Sequence, residues 1–202
     1  MKTLHSLLNA AAIAAVACMS AQLVSTHAQQ AKPEKFRLSR STVDVPERGG
    51  VTVFTLDTTY EKFSFIPPAE CDVRLDAAAR KIVFDSRKGV GLFTLQLSTN
   101  QVLRLDGDTP PSKEEVCSRW PGSKVAEEFD QPTGIGQGRA FVLKSLVAKR
   151  DLWLTRVVVV PTRAGPVELT LSSPATEAAK HQHGFANLMN TLKVEPHVVA
   201  TR

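Results

Sequence analysis

The stretch RAFVLKSLVAKRDLWLTRVVVVPTRAGPVELTLS, residues 139–172, predicts a β-sheet fold. It contains runs of β-branched and apolar residues at 139–148, 152–160 and 166–172, with short polar links between them. Links of this length connect antiparallel neighbours, so we expect a meander. The continuous β-branched run at 157–160 is typical of a strand that is covered on both faces.

Shorter strand signals precede this stretch. Residues 36–45 and 51–57 flank a Pro-Glu-Arg-Gly-Gly turn and predict a hairpin. Further runs of β character follow it at 63–66, 72–76, 81–85 and 90–98. The sheet is therefore expected to be built largely from neighbouring antiparallel strands.

Two helices are predicted beside the sheet. Ser112 and Glu115 have the spacing of a capping box, and Pro121-Gly122 ends the short helix that they open. The second helix is predicted from Ser173 as N-cap, with Pro174 in its first position. Its apolar residues recur at the spacing of a stripe that packs on a sheet, namely Phe185, Leu188, Met189 and Leu192. The predicted fold class is α+β, an antiparallel sheet flanked by a short helix and a C-terminal helix.

In this order of elements, residues 60–195 resemble the PsbP-like fold. The resemblance depends on YEKFSFIPPAE at 60–70, on the meander from Gly138 to Val160, and on PVELTLSSPA and HGFANLMNTLKV near the end. It implies a PsbP-like sandwich and a non-enzymatic binding or assembly factor, since members of that family mostly act in this way. No functional residue carries over from it.

The amino-terminal 28 residues are typical of a secretory signal peptide. Lys2 precedes an apolar run at 7–17, and Thr26-His27-Ala28 is a cleavage site of the A-x-A type. The alternative is lipidation at Cys18, which follows Ala15-Val16-Ala17 as in a lipoprotein box. The apolar run is shorter than the roughly 20 residues of a membrane-spanning helix. We therefore expect a periplasmic or secreted protein, or a membrane-anchored lipoprotein if Cys18 is modified.

The remaining chain is expected to form one domain. Residues 29–57 are interpreted as a flexible lead with an N-terminal hairpin, 58–195 as a single α+β domain, and 196–202 as a tail. Under either processing route, Cys71 and Cys117 are the cysteines left to pair. Export predicts a disulfide between them, closing a loop of about 45 residues worth roughly 4 kcal/mol.

Several short motifs resemble metal-binding, phosphate-binding or catalytic motifs, but their spacing or context does not match. His181 and His183 are two residues apart on a predicted helix and point in different directions, so no metal site is predicted. The GIGQG segment precedes a strand and lacks the Lys-Ser/Thr of a phosphate loop. The acidic DGD segment at 106–108 lacks the calcium-loop spacing, and no G-x-S-x-G elbow occurs. We predict no catalytic residue and no cofactor.

A basic strip with one aromatic side chain is the candidate contact surface. It comprises Trp153, Lys144, Lys149, Arg150 and Arg156. The partner would be an unknown protein or an anionic envelope component, with a membrane involved only if Cys18 is lipidated. Nucleic acid is not expected, because the net charge of +5 is modest and not clustered with aromatics.

The sequence thus predicts an exported binding or accessory protein of the cell envelope. Two alternatives stay open at this point. One is an enzyme without a short motif that uses carboxylates such as Asp106 and Asp108. The other is a lipid-anchored envelope assembly factor.

Overall fold

Within the residues that the structure describes, the chain forms two antiparallel sheets and two helices. The structure is a computed structural model that describes residues 35–47, 49–69, 71–86, 92–97, 111–147, 151–162 and 165–197. The elements are β1 Phe36–Val45, β2 Gly49–Thr58, β3 Glu61–Phe65, β4 Cys71–Asp76, β5 Lys81–Ser86, β6 Leu92–Leu97, α1 Lys113–Arg119, β7 Lys124–Thr133, β8 Gly136–Val147, β9 Asp151–Val160, β10 Val167–Pro174, α2 Ala178–Thr191 and β11 Lys193–Pro196. The predicted fold class is confirmed, with a second sheet added to it.

The larger sheet has seven strands in the order β4-β5-β6-β10-β9-β8-β7. The predicted meander is its centre, because β9 pairs antiparallel with β8 on one side and with β10 on the other. The run at 157–160 is fully buried, as expected for a strand covered on both faces. The smaller sheet has the order β1-β2-β3-β11 and includes the predicted hairpin.

Two apolar clusters lie on opposite faces of the seven-stranded sheet. The α2-side core joins the smaller sheet and α2 to this sheet, and its members include Leu56, Phe63, Phe84, Val158, Leu169, Phe185 and Leu188. The α1-side core is smaller and consists of Val116, Phe141, Leu143, Val157 and Val159, with Trp120 and Val125 packed against them. Successive residues of β9 alternate between the two cores, since side chains alternate across a strand.

The short helix α1 begins as predicted. The Ser112 side chain accepts a hydrogen bond from the Glu115 backbone N–H at 3.2 Å, and the Glu115 carboxylate accepts one from the Ser112 backbone at 2.7 Å. These bonds satisfy two N–H groups that a helix start leaves unpaired. Val116 then attaches the helix to the sheet, since it is completely buried.

The second helix begins later than predicted, and it ends at Thr191. Pro174 lies in β10 opposite Trp153, and α2 begins at Ala178. Pro174 is the last residue of its strand, a position that tolerates the missing N–H. The chain after Thr191 becomes β11, which pairs with β3. The predicted apolar stripe is confirmed, because Phe185, Leu188, Met189 and Leu192 are all buried.

Strand β7 was not expected from the sequence. Its residues include Glu127, Glu128 and Asp130, which weaken the strand signal, and it lies at a sheet edge where charge is tolerated. The GIGQG segment, residues 134–138, begins in the two-residue turn between β7 and β8 and continues into β8.

The predicted disulfide between Cys71 and Cys117 is not formed in the described part of the chain. Cys71 begins the edge strand β4 and packs against the α2-side core. Cys117 belongs to α1, which is attached to the opposite face of the same sheet through Val116. The structure therefore does not show the predicted disulfide, and it places the two cysteines on elements at opposite faces of the seven-stranded sheet.

Candidate interaction surface

The structure divides the predicted basic strip between two faces. Lys144 and Arg156 lie on the face of α2, because they share the alternation of Val158 and its partners in the α2-side core. Trp153 lies on the face of α1, with Val157 and the α1-side core. Lys149 and Arg150 fall outside the described residues. The strip is therefore not one continuous surface.

Arg156 is a structural residue. Its guanidinium lies over the ring of Phe129 at 5.1 Å and over that of Phe185 at 5.9 Å, both measured to the ring centroid. It also donates to the side-chain oxygen of Gln131. Burial lowers the pKa of Arg156, with an opposing effect from Glu127. Stacked in this way, Arg156 stabilises the contact of α2 with the sheet and is not available to a partner.

The end of the β8–β9 hairpin carries the most exposed apolar pair of the meander. Leu146 and Leu152 are directly opposite each other and are 66% and 42% exposed. Leu154, the next apolar residue on this face, is partly buried. Facing leucines that remain this accessible form a patch rather than two scattered residues.

This hairpin end extends beyond both neighbouring strands. The β7–β8 ladder begins with the pair Lys124–Lys144, and the β9–β10 ladder ends with Trp153–Pro174. Two further β8–β9 pairs follow, which is about 7 Å of strand. Beyond the ladders, the Ala175 N–H still donates to the Leu152 carbonyl at 2.8 Å.

Two lysines lie on the same face as the leucines and two residues further from the hairpin end. Lys124 and Lys144 are cross-strand partners, and both are exposed. Like charges in this position repel, so the fold retains an unfavourable pair here. Within the described residues, neither lysine forms an ion pair. We call Lys124, Lys144, Leu146 and Leu152 the tip surface.

A buried ion pair on the α1 face has a structural role. Arg119, the last residue of α1, binds the carboxylate of Glu168 on β10, which is buried. Thr170 donates to the other oxygen of this carboxylate at 3.4 Å. The pair attaches α1 to a second strand of the sheet, and it needs both partners because a lone buried charge is costly.

Asp57 holds the two ends of the described chain. Its carboxylate binds the Lys35 ammonium and lies 3.0 Å from Nε2 of His197. Burial raises the pKa of Asp57, but the contacts with Lys35 and His197 outweigh it and leave the pKa below its usual value. The nearby Thr58 hydroxyl donates to the Glu61 carbonyl at 2.8 Å. We call the cluster of Lys35, Asp57 and His197 the clasp, because it joins the two ends of the described chain.

The remaining motifs form no cluster of metal ligands among the described residues. His183 is exposed, with Nε2 3.1 Å from the Asn187 side chain, and Glu177 pairs with Lys180. No group of three or more His, Cys, Asp or Glu side chains is placed to hold a metal ion in the described ranges. No helix within those ranges is long and apolar enough to cross a membrane. Asp106 and Asp108 lie outside them.

No known protein family matches the chain, and no curated protein does so either. Among solved structures, it is similar to LpqN of Mycobacterium tuberculosis, a protein involved in cell envelope biogenesis. That match has 10% identity and a TM-score of 0.45, and covers 79% of this chain and 92% of the other. It is also similar to the Saccharomyces cerevisiae Ran-binding protein Mog1p, with 10% identity, a TM-score of 0.41, and coverage of 78% and 96%. Likeness at these values carries no inference about function.

Proposed function

We propose that this chain is a non-enzymatic binding protein of the cell envelope, exported to the periplasm or beyond, that contacts its partner through the tip surface. The observation that carries the proposal is the facing pair Leu146 and Leu152, exposed beyond the ends of β7 and β10. Apolar side chains in this position gain free energy only when something covers them.

The polar clusters of the described chain support binding rather than catalysis. Arg119 and Glu168 neutralise each other, and Asp57 is occupied by Lys35 and His197. The PsbP-like resemblance of 60–195 agrees with this proposal, because it implies a binding or assembly factor. Export by residues 1–28 is part of the proposal, with lipidation at Cys18 as its alternative.

Site-specific photo-crosslinking tests the proposal. A photoreactive phenylalanine analogue is placed at Leu146 in one variant and at Tyr60 in the control, which is 61% exposed between β2 and β3. Cells that export the protein are then irradiated. We expect a discrete adduct from position 146 and none from position 60. Equal adducts at both positions, or none at position 146, would refute the assignment of the tip surface.

A further inference from the structure

We infer that β1 pairs with the β1 strand of a second copy of this chain, which joins two smaller sheets edge to edge in a two-fold symmetric dimer. This contact is separate from the tip surface and goes beyond the proposed function. Its basis is that β1 is an edge strand, with β2 on one side and no described strand on the other. An edge strand has a row of unpaired N–H and C=O groups with which another strand can pair.

Strand β1 lacks the features that protect the other sheet edges in the described part of the chain. Edge strand β7 has an irregular register between Val125 and Glu127 and also contains Pro132. Edge strand β11 has four residues and ends in Pro196, and edge strand β4 has six residues. In contrast, β1 has ten residues, no proline and an unbroken register with β2. Because bulges, prolines and short length discourage pairing between edges, β1 is the edge best suited to it.

The second half of β1 also projects to where another copy can reach it. In the described ladder, β3 pairs with β2 only between Phe54 and Asp57, whereas β1 continues alongside β2 to Val45. Residues 41–45 and 49–53 therefore form a two-stranded ribbon beyond β3. Residues 39–44 are all exposed. A two-stranded ribbon is marginally stable in water, and two ribbons that pair gain stability as four strands.

Symmetry restricts the registers in which two β1 strands can pair. Antiparallel copies are related by a two-fold axis, and directly opposed residues lie on the same face of a sheet. The axis must therefore pass through a residue that is opposite its own copy. With the axis at Thr42, Arg40 of each copy lies opposite Asp44 of the other, which gives two attractive charge pairs. An axis at Arg40 would oppose two arginines, and an axis at Ser41 would place Asp44 opposite Leu38.

Arg40 and Asp44 are available for these charge pairs. Both residues are exposed, and within the described residues neither forms an ion pair. In the β1–β2 ladder they lie opposite Phe54 and Gly50, so the hairpin itself provides neither with an opposite charge. Opposite charges that face each other across antiparallel strands attract, whereas like charges in this position repel. The charges of β1 therefore favour the register with Thr42 on the axis.

The other side chains of the paired segment, residues 39–45, also fit this register. On one face, Thr42 lies opposite its own copy and next to Thr52 of β2, which gives a row of four threonines across the dimer. Cross-strand threonine pairs stabilise a sheet through their hydroxyl groups. On the other face, the two Val43 side chains become diagonal neighbours about 7–8 Å apart. Pairing thus covers part of Val43, which is 47% exposed in the single chain.

Sedimentation velocity tests the inference with the full chain in a Cys18→Ser background, which removes lipidation as a cause of association. We expect a monomer–dimer equilibrium in which the dimer fraction rises with protein concentration. The paired segment is short, so the dimer should dissociate on dilution. A chain that stays monomeric up to about 200 μM overturns the inference.

Charge exchange at Arg40 and Asp44 tests the register. Arg40→Asp opposes carboxylates at both contacts, and Asp44→Arg opposes guanidinium groups, so each variant should raise the dimer dissociation constant about 30-fold. An equimolar mixture of the two variants should form a heterodimer, because every contact then joins opposite charges. Both substitutions in one chain should restore the homodimer. Misfolding cannot produce either recovery.

The matched control makes the same charge reversals in β11, at the opposite edge of the smaller sheet, with Lys193→Asp and Glu195→Arg. Both variants should leave the dissociation constant unchanged. Equal losses in the β1 and β11 variants, or failure of the two β1 variants to associate with each other, would overturn the inference.

A cysteine on the two-fold axis gives a direct readout of the register. Directly opposed residues have Cα atoms about 4.5–5.5 Å apart, which is within the range of a disulfide. Mild oxidation of Thr42→Cys should therefore link position 42 of two copies, as identified by peptide mapping. Ser39→Cys should give no such link, because its two copies are separated by six residue positions along the ladder, or about 20 Å. Equal linking at positions 39 and 42 would contradict the register.

Discussion

Replacing Gly134 by Ala should destabilise the fold, because the β7–β8 turn contacts the end of α2. The Gly134 N–H donates to the Met189 carbonyl at 2.9 Å. That carbonyl is among the last four of the helix, which have no intrahelical partner. A Cβ at Gly134 would lie 2.2 Å from the Leu192 carbonyl oxygen and 2.8 Å from that of Asn190.

The size of the effect follows from these distances. Side chains essentially never place Cβ closer than 3.0 Å to such an atom, so the turn and the helix end must separate by about 0.8 Å. Overpacking of this kind costs about 1–3 kcal/mol. The strained hydrogen bond to Met189 adds about 0.5–1.5 kcal/mol. We therefore expect Gly134→Ala to lower the free energy of unfolding by about 2–4 kcal/mol.

Urea unfolding followed by circular dichroism measures this loss. The control is Gly50→Ala in β2, where the nearest atom is a side-chain methyl group, Cγ2 of Thr42, at 3.0 Å rather than a backbone carbonyl at 2.2 Å. Its effect should stay within about 0.5 kcal/mol. If Gly134→Ala is no more destabilising than Gly50→Ala, the contact with the helix end does not hold the turn as described.

Three further predictions concern stability. Glu168→Leu should lower the free energy of unfolding by about 2–4 kcal/mol, because it leaves the Arg119 guanidinium without its carboxylate partner. Adding Arg119→Met should recover much of this stability in thermal melts. If the double variant is as unstable as Glu168→Leu alone, the ion pair is contradicted. Ser112→Ala should lower the free energy of unfolding by about 1 kcal/mol, measured by chemical denaturation. An unchanged free energy of unfolding would exclude a contribution from the capping box. Asp57 has a lowered folded-state pKa, so its stabilisation is present above its ordinary value of 3.8 and lost as the pH falls through the folded value. The stability difference between the native chain and Asp57→Asn should therefore be largest near neutral pH and shrink on acidification, whereas a constant difference would refute the linkage.

Local patterns in the sequence predicted most of the fold. The buried run at 157–160, the Ser112–Glu115 capping box and the apolar stripe of α2 are each set by neighbours in the chain, and the structure confirms them. Strand β7 was missed because its acidic residues suit a sheet edge, and being at an edge is a property of the whole sheet. Pro174 was assigned to a helix because its place in a ladder with Trp153 is not visible locally.

The contact surface named from the sequence stays a prediction, and the structure divides its described residues between two faces of the sheet. Clustering of charges along a sequence does not say which face a residue occupies. Strand alternation placed Arg156 under Phe185 and separated Trp153 from Lys144. The cysteine count likewise does not say where each cysteine lies: Cys71 packs on the α2 side of the sheet, whereas Cys117 belongs to α1 on the other side. Leu146 and Leu152 were overlooked because exposure depends on where β7 and β10 end.

The clasp at Asp57 has a consequence for the topology of the chain. Lys35 and His197 contact one carboxylate, so the beginning and end of the described chain lie side by side. Neighbouring termini allow a protein to be circularly permuted. A short linker joining these ends, with new termini opened in the β4–β5 turn at 77–80, should give a chain that reaches the same fold. Fluorescent or affinity tags fused directly to Lys35 and His197 would lie next to each other at Asp57.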